Sequence, residues 1–163
     1  MAKKQHGGTG TPATTALDGA KVPYSVHAYD HDPTSTSYGL EAAEALGRPV
    51  EEVFKTLLVD TGTGLAVGVV PVHLQLDLKA LATALGVKRL TMATPAAAER
   101  SSGMVVGGIS PLGQRKALPT VLDASMQGRP TVLVSGGRRG LDVELSPDDL
   151  ARLTRATFAP IAR

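Results

Sequence analysis

Hydrophobic and polar positions change along this chain in short runs of strand length rather than in long helical stripes. Phe54 to Asp60 and Leu65 to Val72 are apolar runs separated by Thr61-Gly62-Thr63-Gly64, and they read as a hairpin. Tyr24 to Tyr29 alternates with period two, Tyr24, Val26 and Ala28 on one face and Ser25, His27 and Tyr29 on the other, until Asp30-His31-Asp32-Pro33 stops it. Pro119 to Asp123, Pro130 to Ser135 and Gly140 to Leu145 are further strands, and Lys88 to Met92 is a short one. Between them lie helices with recognisable ends. Thr11-Pro12 opens one that Gly19 closes, Ser37 caps one through Ala45 before Gly47, and a helical turn follows around Pro49 to Val53. Asp77 to Ala84 ends at Gly86, Thr94-Pro95 opens a helix through Arg100, and Ser146-Pro147-Asp148-Asp149 caps the last, about Asp148 to Ala156. Hairpins demand antiparallel pairs and βα units permit parallel ones. The expected fold is therefore α/β (α+β): a mixed, curled, barrel-like sheet of about seven strands flanked by about five helices.

Composition narrows this picture. A chain of 163 residues is the size of one domain, able to bury roughly two-thirds of its unfolded surface. Met1 to Gly10 is polar and glycine-rich and is expected to be a flexible tail, with a single domain over 11–163. Hydrophobic residues at 42% rule out a disordered chain, while aromatics at 3% require an aliphatic core. With no cysteine there is no disulfide, thiolate metal site or cysteine nucleophile. The net charge of +2 resides in Lys3 and Lys4, and the remaining 15 cations balance 15 anions. Bulk charge thus says nothing about a polyanionic partner, and only the doublets Lys88-Arg89, Arg115-Lys116 and Arg138-Arg139 speak for one. The run Leu65 to Val72 is far short of the ~20 residues that cross a bilayer. No apolar signal region opens the chain, and a cytoplasmic protein with no membrane partner is expected.

The stretch most suggestive of chemistry is Gly103 to Lys116, where an apolar run breaks into Gly107-Gly108, Ser110-Pro111 and Gly113 and closes on Arg115-Lys116. Glycines without Cβ atoms would let N–H groups approach a phosphate or ester oxygen, with the two cations at the rim. The alternative is an ordinary connection between strands. Its spacing fits neither a nucleophile elbow nor a P-loop. On the strand Phe54 to Asp60, alternation places Lys55 with Leu57 and Val59, and an inward lysine needs an anion; alternatively Thr56 and Leu58 face inward and Lys55 marks the strand end. Asp142 shares a face with Glu144, which without a cation would simply be a solvated face. His27 and His31 do not form a metal pair on a strand and its exit, and no serine stands in a convincing triad. No metal or cofactor is expected.

Four blocks taken together resemble the YbaK family: Lys55-Thr56-Leu57-Leu58-Val59, Gln75-Leu76-Asp77-Leu78-Lys79, Gly107-Gly108-Ile109-Ser110-Pro111-Leu112-Gly113-Gln114, and Val134 through Asp142 with Ser135-Gly136-Gly137-Arg138-Arg139. These are single-domain aminoacyl-tRNA deacylases related to the editing insertion of bacterial prolyl-tRNA synthetases, and the likeness runs from about Thr11 to Ala162. The resemblance implies that Lys55 and Asp142 are catalytic. It implies that Gly107, Gly108, Ile109, Ser110, Pro111 and Gly113 wrap the aminoacyl-adenosine end of tRNA, and that Ser135 and Gly136 line the same pocket. Tyr29 and Tyr38 match pocket aromatics, Tyr38 standing where phenylalanine is common. Arg115, Lys116, Arg138 and Arg139 are the expected RNA contacts. Ser101-Ser102-Gly103-Met104 departs from the pattern, since an aromatic usually follows that glycine.

The implied substrate is cysteine mischarged on the acceptor end of tRNA(Pro), cleaved by attack of the substrate's own thiol on its ester. A thiol with pKa ~8.5 is only partly ionised at neutrality yet strongly nucleophilic, so a pocket need only fold it onto the carbonyl and stabilise the oxyanion. Two alternatives stand beside it: removal of alanine by activated water, and a non-catalytic module that binds aminoacyl or tRNA ends. The balanced charge implies a weak hold on RNA and makes prolyl-tRNA synthetase a candidate partner.

Overall fold

Three of the five helices start on a hydroxyl residue followed by proline, a pairing that satisfies an orphan N–H and fixes the first helical φ. In the computed structural model, which describes residues 10–163, Thr11 caps α1 (Pro12–Ala20) by accepting from Thr14 N–H at 3.1 Å, and Thr14 returns the bond to Thr11 N–H at 3.0 Å. Thr94 caps α4 (Pro95–Ser102) by accepting from Ala97 N–H, and Ser146 caps α5 (Pro147–Thr154) by accepting from Asp149 N–H, each at 3.1 Å. Asp77 caps α3 (Leu78–Leu85), which ends at Gly86. The second helix, α2 (Tyr38–Leu46), follows Ser37, but the Ser37 hydroxyl makes no capping bond. Of the expected tail Met1 to Gly10, all but Gly10 lies outside the described residues.

The strands form two sheets. In the first, β1 (Ser25–Ala28), β7 (Leu141–Leu145) and β6 (Val132–Arg138) lie antiparallel in the order β1-β7-β6. In the second the order is β4-β2-β3-β5-β8, where β2 (Phe54–Asp60) and β3 (Leu65–Pro71) make the expected hairpin. There β5 (Thr120–Asp123) and β8 (Thr157–Ala159) add in parallel, and β4 is the pair Thr91–Met92. A lone bridge, Val53 to Leu133, joins the sheets. The expected single curled sheet of about seven strands is therefore corrected to eight strands among the described residues, in two open sheets. The physical reason is that β1, β6 and β7 pair among themselves and bridge to the second sheet at one residue only, Val53, just before β2, the two sheets otherwise meeting through side chains.

Local departures have local causes. Lys88 and Arg89 are exposed and only Thr91–Met92 of that expected strand pairs. The chain leaves α5 through Arg155 in the left-handed region (φ 54°) and continues as β8, where helix was expected up to Ala156. Met104 to Val106, strand-like in composition, lies between Gly103 (φ 77°) and Gly107 (φ 90°) and forms no strand.

The core is aliphatic, as the composition requires. Its largest part lies between the sheets, with Phe54, Leu58, Val67, Val69 and Leu122 of one facing Val132, Val134, Val143 and Leu145 of the other. Met104, Ile109 and Leu112 insert into it from the loop after α4. A second cluster lies beneath α3 around Val70, Leu81 and Ile161, and a third beneath α2 around Ala42, Ala43, Val53, Val72 and Leu133.

Candidate functional site

One edge of β2 determines where a ligand can enter. That edge carries the bridge at Val53, just before the strand, and the β4 pairs at Val59 and Asp60, and among the described residues no strand covers it between. A cavity of about 430 Å³ opens there, within the size range of small-molecule sites. The segment Val53 to Leu58, Tyr29, the start of α2, Ser135, Asp142 and the loop residues Val106, Gly107 and Ile109 form its wall.

Lys55 lies on the wall, half-buried, and shares its strand face with Leu57 and Val59, which join the cluster beneath α3. Burial pulls its ammonium pKa down, with no neighbouring anion to oppose the shift. Asp142 is 5% exposed and burial alone pushes its carboxyl up to about 7. No ion pair joins Lys55 and Asp142 among the described residues. Tyr29 is pushed up to about 12, first by burial and then by the nearby Asp142 and Glu41 carboxylates.

Tyr38 is held on three sides. The Arg139 guanidinium lies 5.0 Å from its ring centre, the His31 ring is 5.7 Å away, and Gly107 packs so close that a Cβ there would come within 2.6 Å of the ring. Glu41 supports this from behind, taking His31 Nδ1 at 2.7 Å and the Asp32 N–H at 2.7 Å. The Asp32 N–H bond is the main reason its carboxyl sits below the usual range.

The remaining expected residues are placed differently. Gly108, Ser110, Pro111, Gly113 and Gly136 are not part of the cavity wall. A Cβ on Gly108 would meet the Arg138 and Arg139 backbone at 2.6 Å, and one on Gly113 the Pro12 carbonyl oxygen at 2.3 Å. These glycines let segments of the protein's own backbone touch. Ser110 is fully buried, its Oγ accepting from Leu112 N–H at 3.1 Å, and Pro111 is buried beside it. Gly136 starts the irregular stretch of β6, its carbonyl accepting from Thr11 Oγ1 at 2.5 Å. Arg115, Lys116, Arg138 and Arg139 are all exposed. Arg139 also donates to Val106 O at 2.8 Å, which brings it to the cavity mouth, whereas the backbone N–H groups of Arg115 and Lys116 bond to Ser102 and Ser101 at the end of α4.

Two other wall residues were not among the expected site residues, although Thr56 was weighed as facing inward in place of Lys55. Thr56 has a buried Oγ1 with no partner, and Gly39 at the start of α2 permits an approach to Val72 that a Cβ, 2.4 Å from Val72 Cγ1, would forbid. For Thr56 the signal was the strand alternation that could turn it inward with Leu58; for Gly39 it was only that it follows Tyr38.

Two open sheets of a mixed α/β fold thus flank a cavity whose wall, among the described residues, holds a lysine and a buried acid with no ion pair between them. The family model described as the aminoacyl-tRNA editing domain matches residues 31–153, and the chain belongs to that family, among its YbaK/EbsC members. It is 38% identical over 154 residues to the Enterococcus faecalis protein named "Putative Cys-tRNA(Pro)/Cys-tRNA(Cys) deacylase EbsC", covering 93% of this chain and 92% of that one. A solved structure described as "a putative trans-editing enzyme for prolyl tRNA synthetase" superposes with a TM-score of 0.79 at 28% identity, over 99% of this chain and 96% of the other. Hypothetical protein APE2540 shares the fold, with a TM-score of 0.82 at 24% identity, over 93% of this chain and 99% of that one.

Proposed function

We propose that this aminoacyl-tRNA deacylase acts in trans on Cys-tRNA(Pro), using the thiol of the substrate as nucleophile. The observation that carries the reading is the makeup of the cavity wall. It holds a lysine and a carboxylate, but its hydroxyls have no histidine among the lining residues to activate them, and the chain has no cysteine. Attack by the thiolate forms a C–S bond in a cyclic thioester and breaks the ester C–O bond, and the tRNA departs as its free 3′ or 2′ alcohol with a proton. Water then opens the thioester to free cysteine.

Lys55 faces the developing oxyanion in this scheme. The Val106 and Gly108 amides are taken by Glu99 Oε2 and Val105 O, which leaves those of Gly107 and Ile109 to assist. Tyr29, Tyr38, Ile109 and Ser135 shape the aminoacyl pocket. Arg115, Lys116, Arg138 and Arg139 hold the acceptor end, with prolyl-tRNA synthetase as a partner that presents it in the cytoplasm. One observation favours a second reading: an acid pushed up to about 7, as Asp142 is, suits activation of water on Ala-tRNA(Pro).

Purified Cys-, Ser- and Ala-tRNA(Pro) separate the two. Thiol attack gives rapid loss of cysteine, little loss of the nearly isosteric serine, and a thioester that external amines trap. Equal rates on the cysteine and serine esters with nothing trapped would rule it out, and preferential release of alanine would establish the second reading.

A further inference from the structure

Two acids sit two residues apart on one face of β7, and the fold treats them in opposite ways. Glu144 takes every nearby cation. Arg48 donates to it at 2.7 and 3.1 Å, His27 Nε2 approaches at 3.0 Å, and Thr131 Oγ1 at 2.5 Å, so its carboxyl is held down at about 2.

The Asp142 carboxylate receives no hydrogen bond or ion pair from the described residues. His27 lies directly across from it on β1, yet turns its ring to Glu144 and Ser25. Ser135 lies across from it on β6, where its Oγ accepts from Gly137 N–H at 3.2 Å. A carboxylate that is 5% exposed is costly without a positive partner, and none comes from the described chain. Asp142 lines the cavity, where a ligand can reach it, and Lys55, equally without an ion-pair partner among the described residues, lines the same cavity.

An aminoacyl ester matches this pair of groups. Its carbonyl oxygen develops negative charge, and two bonds from the carbonyl carbon stands a positive α-ammonium. We propose that the Asp142 carboxylate is the receptor for the α-ammonium group of the substrate's amino acid. The cavity then accepts esters of amino acids with a free amine and discriminates against deaminated or N-blocked counterparts. The identity of the ligand rests on the deacylase reading above, whereas the demand for a cation rests on the geometry.

The test is equilibrium binding to the full chain of two stable amides that are not turned over. One is 3′-deoxy-3′-(cysteinylamino)adenosine, and the other is its 3-mercaptopropionyl counterpart, which lacks the amine. Wild type should bind the first at least tenfold more tightly, and Asp142→Asn should erase that preference while keeping the affinity for the second. Equal affinities in the wild type, the outcome if Asp142 only served as a base toward the thiol, overturn the proposal, as does a preference that survives Asp142→Asn. An amine preference in a protein that fails to deacylate Cys-tRNA(Pro) would sink the deacylase reading alone. Full deacylation without amine preference would sink this inference alone, and binding of neither amide would sink both.

Discussion

Replacing Asp142 with asparagine should make the empty protein more stable, and by an amount that depends on pH. The carboxyl titrates near its ordinary 3.8 in the unfolded chain and at about 7 in the folded one. Each tenfold change in an ionisation constant is worth about 1.36 kcal/mol, so the difference amounts to something on the order of 4 kcal/mol. The sign follows from which state holds the proton. Because the folded value is raised, the stabilising contribution is fully present below 3.8 and is lost as pH rises through about 7. Glu144 runs the other way: with its folded value at about 2, its contribution is present above its ordinary 4.5 and lost as pH falls toward 2. Wild type and the asparagine variant share the Glu144 loss, so subtracting their curves isolates Asp142. Urea unfolding at half-unit steps from pH 4 to pH 8.5 supplies both curves. The variant should gain steadily on the wild type across the window and level off above about pH 7. Parallel curves would show that the carboxylate has a partner or is well solvated, and the case for a ligand cation would lose its footing.

Further outcomes follow from the same geometry. Lys55→Ala should lower deacylation of Cys-tRNA(Pro) at least tenfold with the melting temperature held, as an unpaired half-buried ammonium adds little to packing; near-wild-type turnover would remove it from the chemistry. Gly108→Val and Gly113→Val should lower stability by about 3 kcal/mol or more, since the new side chains meet backbone, and a Tm within a degree of wild type would contradict the contacts. Charge reversal of Arg138-Arg139 together with Arg115-Lys116 should weaken tRNA binding and flatten its salt dependence, measured by fluorescence titration; unchanged binding would place the RNA on another face.

The hairpin, the helix starts at Thr11-Pro12, Thr94-Pro95 and Ser146-Pro147, and the face shared by Lys55, Leu57 and Val59 were legible because each depends on neighbours in sequence. The division into two sheets was not. It depends on β1 choosing β7 and on Val53 meeting Leu133 once, pairings that no periodicity encodes. The loop glycines illustrate a subtler limit. A missing Cβ shows that something comes close, but not whether it is a ligand or Pro12. Asp142 was legible as one of two acids on a strand face, while its isolation was not, since that follows from where Arg48 and His27 reach across space.

The loop after α4 belongs to the core and the site at once: Met104, Ile109 and Leu112 are buried within a few residues of Gly107. Substitutions that reshape this wall would therefore be filtered by folding before they are tested for activity, which makes the wall a poor place for new substrate preferences to arise. The opposite wall offers more freedom. Thr36, Ser37 and Leu40 are exposed and line the cavity without filling the core, so changes there can alter what fits while the protein still folds. Divergence among relatives toward other amino acids should accumulate in that short segment, leaving the glycine-rich side nearly unchanged.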